Sequence, residues 1–104
     1  MGTIRSGSKI ITTAGTPERI TATWTRVQWA IFQAGSGNTG DAVVGDANIA
    51  AADASAGDRV GAYVAKGDAT AHVRLDGPFN LQDVYADVAN SGDAVHFAYL
   101  ELET

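Results

Sequence analysis

Short runs of alternating hydrophobic and polar residues, separated by turn residues, dominate this chain. Alternation with a period of two predicts strands that bury one face. We predict strands at residues 9–13, 19–25, 27–33, 42–44, 60–65, 70–75, 83–89 and 95–102. In the run VQWAIFQ, strict alternation places Val27, Trp29 and Ile31 on one face and leaves Ala30 and Phe32 on the other. The last run, VHFAYLEL, is apolar on nearly every position, as expected of a strand inside a sheet.

Turn residues mark the boundaries between these runs. The dipeptide Gly-Asp occurs five times, and Asp-Gly-Pro at 76–78 and Asn-Ser-Gly at 90–92 add two more turn signals. The one helix candidate, residues 48–57, has almost no large apolar residue with which to pack, so we predict a loop there. About eight short strands at close spacing predict an all-β fold, which we interpret as a single β-sandwich of jelly-roll-like or Greek-key topology. The sandwich would span residues 15–104, after an extended N-terminal arm at residues 1–14.

Composition agrees with one globular domain. The chain has 104 residues, of which 45% are hydrophobic and 18% charged, enough for one modest core. It has no cysteine, which excludes a disulfide framework and a thiol nucleophile. No apolar run approaches the ~20 residues of a membrane-spanning helix, and the start of the sequence lacks the apolar region of a signal peptide. We therefore expect a soluble protein, synthesised in the cytoplasm of its host, with no membrane partner.

Charge is distributed unevenly. Residues 1–40 carry four basic residues and one acidic residue, whereas residues 41–104 carry three basic and eleven acidic residues, for a net charge of −5 overall. An acidic body argues against nucleic acid, whose binding needs a clustered basic face. A basic N-terminal segment on an acidic body favours docking on an acidic neighbour, such as an identical subunit.

Residues 35–40, GSGNTG, spell the dinucleotide-binding pattern G-x-G-x-x-G after a predicted strand. That pattern binds a pyrophosphate only when its third glycine opens a helix. Here Asp41 follows the third glycine, and the next residues, AVVGD, are β-branched and broken by glycine. The same stretch fits G-x-x-x-x-G, but Asp41 then stands where a P-loop needs lysine. We therefore predict a hairpin loop and no nucleotide cofactor.

Other candidate chemistry is weak. The two histidines, His72 and His96, lie in predicted strands without a second histidine at metal-binding spacing. A Ser-His-Asp triad can be drawn around His96, but no nucleophile-elbow sequence surrounds any of the serines considered for it. Residues 53–58, DASAGD, suggest a calcium loop, although Val64 stands where glutamate would close it. We assign no catalytic residue, metal or cofactor, and a weak calcium site between loops stays open.

The tryptophans, Trp24 and Trp29, offer a second kind of site. Together with Tyr63, Tyr85 and Tyr99 they could form a platform for sugar binding. Aromatic residues in a small β domain more often belong to the core, and we expect a core position for most of them.

Two stretches resemble a known class of proteins. The order GTPERITAT…RVQWAIFQAGSGNTGDAVVGD, followed by NLQDVYADVANSGDAVHFAYLEL, is similar to small β-sandwich virion proteins of tailed bacteriophages. The resemblance covers residues 15–102, and residues 48–66 depart from it most. It implies a non-enzymatic structural protein of the virion, most plausibly a decoration (cement) protein that binds the outer capsid surface and stabilises it. The implied partners are the major capsid protein or other virion subunits, and further copies of the chain in a homo-oligomer, with a trimer favoured.

Two other function classes stay open at this point. One is a head–tail connector, tail or fibre-base component of the virion. The other is a carbohydrate- or protein-binding module unrelated to virions. For the leading class we expect residues 1–8, which are too polar to fold alone, to order against a neighbouring subunit or the capsid. The predicted partner-binding residues are Ile4, Arg5, Lys9, Ile10 and Ile11.

Overall fold

A computed structural model describes residues 2–35, 37–49, 62–64 and 72–102, which form two antiparallel β-sheets. The first sheet has the order β1 (Gly2–Ile10), β8 (Ala94–Leu102), β3 (Arg26–Ala34) and β6 (Val73–Asn80). The second sheet has the order β2 (Glu18–Arg19), β7 (Tyr85–Val88), β4 (Ala42–Gly45) and β5 (Ala62–Val64). A 3₁₀ turn, Leu81–Asp83, precedes β7, and the described residues contain no α-helix. The prediction of an all-β chain is confirmed.

One hydrophobic core takes side chains from both sheets. Phe32 is its largest fully buried side chain. The first sheet adds Val27, Ala30 and Val95, and the second adds residues of β4, β5 and β7. Four buried residues outside the strands complete this core: Ile11, Ile20, Leu81 and Val84.

A β-bulge decides which side chains of β3 reach the core. The register of β3 against β8 shifts between Val27 and Trp29, so Gln28 is an additional residue on β3. Because an extra residue breaks strict alternation, Val27 is buried with Ala30 and Phe32, while Trp29 and Ile31 lie on the opposite face. The predicted grouping of Val27 with Trp29 and Ile31 is therefore wrong for Val27.

The predicted strand at residues 19–25 is also wrong for most of its length. Strand β2 has two residues, and Ile20 turns into the core. The hydroxyl of Thr21 lies 3.2 Å from that of Thr23, and the hydroxyl of Thr25 donates to the carbonyl of Thr23 at 3.1 Å. Threonine side chains that bond to nearby backbone and to each other compete with a strand ladder, and they give this segment its turns.

Strand β6 includes the tripeptide Asp-Gly-Pro at residues 76–78, which we predicted to form a turn. The prediction ended this strand at residue 75, before Asp-Gly-Pro, but β6 continues to Asn80. It lies at the edge of the first sheet, where proline is tolerated because one side of the strand needs no ladder partner.

The N-terminal segment does not need a neighbouring subunit or the capsid to become ordered. Residues 2–10 pair with β8 of the same chain over nine consecutive positions, from Gly2 opposite Leu102 to Ile10 opposite Ala94. Backbone pairing does not require apolar side chains, so a polar segment can form an edge strand when a strand beside it offers free N–H and C=O groups. Residues 2–10 are therefore part of the first sheet.

Candidate interaction surface

The outer face of the first sheet carries a patch of apolar side chains. Side chains that alternate with the buried Ala30 and Phe32 point away from the second sheet. On this face the register places Ile4 opposite Leu100 and Leu100 opposite Trp29. The next row contains Ala98 and Ile31. We call these five residues the outer patch: Ile4, Trp29, Ile31, Ala98 and Leu100.

Exposure within the outer patch increases toward β1. Trp29, Ile31, Ala98 and Leu100 are half-buried, whereas Ile4 is 62% exposed. Contiguous exposed apolar side chains on a soluble protein mark interaction surfaces more often than chance. The outer patch is therefore the best candidate for a partner contact among the described residues.

Polar groups border the outer patch on β6 and at one end of β8. The guanidinium of Arg74 lies 5.2 Å from the centre of the Trp29 ring, and its Nε is 2.9 Å from a carboxylate oxygen of Asp76. The exposed His96 and Gln33 line a shallow depression of about 180 Å³ together with Ile31, Phe97 and Ala98. An apolar centre with a polar border is the usual composition of a protein–protein interface.

The five predicted partner-binding residues do not share one surface. Ile4 and Ile10, which is 58% exposed, lie on the outer face of β1. Arg5 and Lys9 lie on the opposite face, and their charges are paired with Glu101 and Glu18 of the same chain. Ile11 is fully buried in the core, so it belongs to the fold and is not available as a surface contact.

The Lys9–Glu18 pair connects the end of β1 to the start of β2. Lys9 Nζ lies 3.2 Å from Glu18 Oε1, and the backbone N–H of Thr12 donates to Glu18 Oε2 at 3.0 Å. The hydrogen bond from Thr12 and the nearby ammonium of Lys9 hold the pKa of Glu18 below its ordinary value, against the opposing effect of partial burial. The ionised form of Glu18 therefore stabilises this connection between the two sheets.

This pair gives the folded chain a pH dependence. Because the pKa of Glu18 is lower in the folded than in the unfolded chain, its contribution is present above the unfolded value near 4.5 and is lost as the pH falls through the folded value. We expect Glu18→Gln to lower the free energy of unfolding by about 0.2–1 kcal/mol at pH 7 and by much less at pH 3. Urea unfolding of both proteins at both pH values measures this, and an equal loss at pH 3 would contradict it.

The loop that resembles a nucleotide-binding fingerprint already holds a carboxylate. The backbone N–H groups of Thr39 and Gly40 donate to the buried Asp93, at 3.1 Å and 2.9 Å to its Oδ2. In a phosphate-binding loop, such N–H groups would face the ligand. In this chain, the carboxylate of Asp93, in the turn before β8, occupies the position that a phosphate would take. We infer that the loop serves to hold the fold together.

The sides of the same loop are fixed by two amides. Asn38 donates from Nδ2 to the carbonyl of Ala94 at 2.8 Å and accepts at Oδ1 from the N–H of Ala94 at 2.8 Å. Asn90 Nδ2 donates to the hydroxyl of Thr39 at 3.0 Å. In the sequence, Asp41 argues against a bound phosphate, but the local pattern does not reveal the role of Asp93. The sequence feature that contains Asp93 is the Gly-Asp pair at residues 92–93, which we interpreted only as a turn.

Other candidate residues lie apart from one another. His72 and His96 are both exposed, and the described residues contain no group of three or more metal-binding side chains. The possible calcium loop at residues 53–58 lies outside the described residues. Trp24, which we expected in the core with the other aromatic residues, is 63% exposed. It follows the threonine-rich turns, which carry it away from the core.

Comparisons with known proteins give no relative for this chain. No protein-family model, curated protein or solved structure matches it. Among the described residues there is also no helix with the length and apolar character needed to cross a membrane.

Proposed function

We propose that this chain is a non-enzymatic structural protein of a tailed-bacteriophage virion, specifically a capsid decoration protein that binds the outer capsid surface and stabilises the shell. The proposal begins from the resemblance of residues 15–102 to small virion proteins. The observation that carries it is the outer patch, an apolar surface on one face of the first sheet. The major capsid protein is the proposed partner, and the capsid surface the proposed location.

We also propose that the two sheets form a β-sandwich of the jelly-roll kind. The strand pairs β1·β8, β2·β7, β3·β6 and β4·β5 are those of one long antiparallel hairpin. Rolling up such a hairpin adds the contacts β3·β8 and β4·β7, which are also present. Jelly rolls occur in viral capsid proteins and in lectins, so this topology is compatible with the proposed function but does not select it.

Substitution on the outer patch tests the proposed docking. Ile4 is exposed, so Ile4→Asp should leave the fold intact while placing a charge within the apolar outer patch. We expect it to weaken binding of the purified chain to particles that lack it by about tenfold or more. Quantitative co-sedimentation with the particles measures this, and circular dichroism checks the fold.

Trp24→Ser is the matched control. It also removes an exposed apolar side chain, but from a loop outside the outer patch, and we expect unchanged binding. Loss of binding in Trp24→Ser with normal binding in Ile4→Asp would contradict the proposed docking surface. That result would favour the carbohydrate-binding alternative, for which quenching of tryptophan fluorescence by sugars is the direct measurement.

Copy number separates decoration from the tail and connector alternatives. A decoration protein occupies repeated positions on the shell, so purified particles should contain on the order of hundreds of copies. About a dozen copies or fewer would point to a ring or fibre-base component instead. Quantitative mass spectrometry of purified particles gives this number, and a trimer in solution stays a prediction of the resemblance.

A further inference from the structure

Among the described strands, β1 is the one long edge that no described residue protects from pairing. It has nine residues without proline or bulge, and most of its positions are exposed on both faces. The other edges are less suited to pairing: β6 contains Pro78, β2 has two residues, and β5 is described over three. An open edge of this length is a template for another strand.

The open edge has a regular set of free backbone groups. The N–H of Ile11 donates to the carbonyl of Asp93, and the N–H of Gly35 donates to the carbonyl of Ala94. Since the backbone groups of successive residues alternate between the two sides of an antiparallel strand, residues 3, 5, 7 and 9 bond to β8. The N–H and C=O groups of the alternate residues therefore face the open edge: Gly2, Ile4, Ser6, Ser8 and Ile10.

The basic side chains of β1 leave this edge accessible. Charged residues on an edge strand normally discourage pairing. Here Arg5 is held by Glu101 of β8 and Lys9 by Glu18 of β2, so both charges are directed toward the body of their own chain.

We propose that β1 pairs with β1 of a second copy of this chain, antiparallel and about a two-fold axis at Ser6, which joins two first sheets into one continuous sheet. The inference concerns the homo-oligomer of the proposed function: it names a two-fold contact and predicts a dimer in place of the trimer that the resemblance favours. It does not depend on the capsid. The second copy is the favoured occupant because the described edges offer no other long unprotected strand, and a strand that pairs with itself forms a closed, symmetric contact.

Charge and register together select Ser6 as the centre. With the axis at Ser6, all nine residues of β1 pair with β1 of the second copy. Every residue whose N–H and C=O groups face outward then lies opposite another such residue of the second copy: Gly2 opposite Ile10, Ile4 opposite Ser8, and Ser6 opposite Ser6. This register also sets Arg5 opposite Gly7 and Lys9 opposite Thr3, so no like charges face each other. A register centred on Arg5 would pair the two Arg5 side chains, and one centred on Gly7 would pair Arg5 with Lys9. Like charges directly opposite each other destabilise a strand pair.

Cysteine substitution tests the register directly, because the chain contains no cysteine of its own. Facing residues of an antiparallel pair have Cα atoms about 4.5–5.5 Å apart, within disulfide range. Under mild oxidation, Ser6→Cys should become a covalent dimer on a non-reducing gel, while Ser8→Cys, which faces Ile4 of the other copy, should remain largely uncrosslinked. Multi-angle light scattering of the unmodified chain should give a dimer. A monomer, a trimer, or equal crosslinking at both positions would overturn the proposal.

Charge substitution gives an independent readout. Ser6→Lys and Ser6→Glu each place like charges opposite each other at the axis, so each alone should be monomeric, and an equal mixture of the two should recover the dimer. Ser6→Ala keeps the backbone N–H and should remain dimeric, and circular dichroism verifies folding of all variants. If the mixture does not recover the dimer, the register is wrong. A chain that dimerises as expected but does not bind particles would overturn the proposed function and leave this inference standing.

Discussion

Replacing Asp93 with alanine is expected to lower the free energy of unfolding by about 2–4 kcal/mol. The buried carboxylate accepts the backbone N–H groups of Thr39 and Gly40, and removing it leaves both donors without this acceptor inside the protein. Gly40 is buried, so its N–H becomes an unsatisfied buried donor at a cost of about 1–3 kcal/mol. Thr39 is exposed, and its N–H exchanges the bond to the carboxylate for one to water, a loss of about 1 kcal/mol. Urea denaturation followed by tryptophan fluorescence measures the loss as a lower midpoint with an unchanged slope.

Two further variants show whether the carboxylate itself is responsible. Asp83→Ala removes the same charge from an exposed position and should change stability by no more than about 0.5 kcal/mol. Asp93→Asn keeps one oxygen that can accept from both N–H groups, which share Oδ2, so it should lose less stability than Asp93→Ala, and its remaining loss measures the contribution of the charge. Equal stability of Asp93→Ala and Asp83→Ala would mean that the loop does not depend on this contact.

Replacing Phe32 with alanine is expected to cost about 3–5 kcal/mol, the usual cost of removing a fully buried phenylalanine. Phe32 is completely buried in the core shared by the two sheets. A domain of this size has a total stability of only about 5–15 kcal/mol, so the variant should be marginally stable at room temperature. Thermal unfolding followed by circular dichroism measures the loss, with urea denaturation as a check.

Phe97→Ala is the matched control for this substitution. Phe97 lies directly opposite Phe32 on β8, but it is only half-buried, and its ring covers Gly7 of the edge strand. We expect a smaller loss than for Phe32→Ala, because less apolar surface leaves the core. A larger loss in Phe97→Ala would contradict the packing described here and would indicate that the β1–β8 ribbon holds the fold together.

The candidate surface was only partly predictable. The sequence indicated the N-terminal segment and selected Ile4 and Ile10, which are exposed on the outer face of β1. It did not indicate Leu100, and it suggested Trp29 only for a sugar-binding platform or the core. The pairing of β1 with β8 and of β8 with β3 brings these residues together although they are distant in sequence. Long-range register of this kind is set by the whole sheet and not by local pattern.

Three details of the fold were predicted wrongly: the face of Val27, the length of the strand at residues 19–25 and the end of β6. Each has a local cause that the alternation of hydrophobic and polar residues does not reveal. At β3, one additional residue, Gln28, moves Val27 into the core. In residues 20–25, threonine hydroxyls bond to nearby groups and end the strand early. At Asp-Gly-Pro, an edge position lets β6 continue where a central strand would stop.

By itself, the sequence determined the all-β class, the last strand and the absence of positive charge in the glycine-rich loop, because alternation and turn residues are local properties of the chain. Tertiary structure decided which strands pair, which face of each strand is buried, and that Asp93 bonds to the loop across more than 50 residues. It also decided that the polar N-terminal segment is an open edge strand. An edge strand is open when a strand pairs with it on one side only. Here β8 lies on one side of β1 and no described strand lies on the other, and residues 2–10 alone do not determine either neighbour.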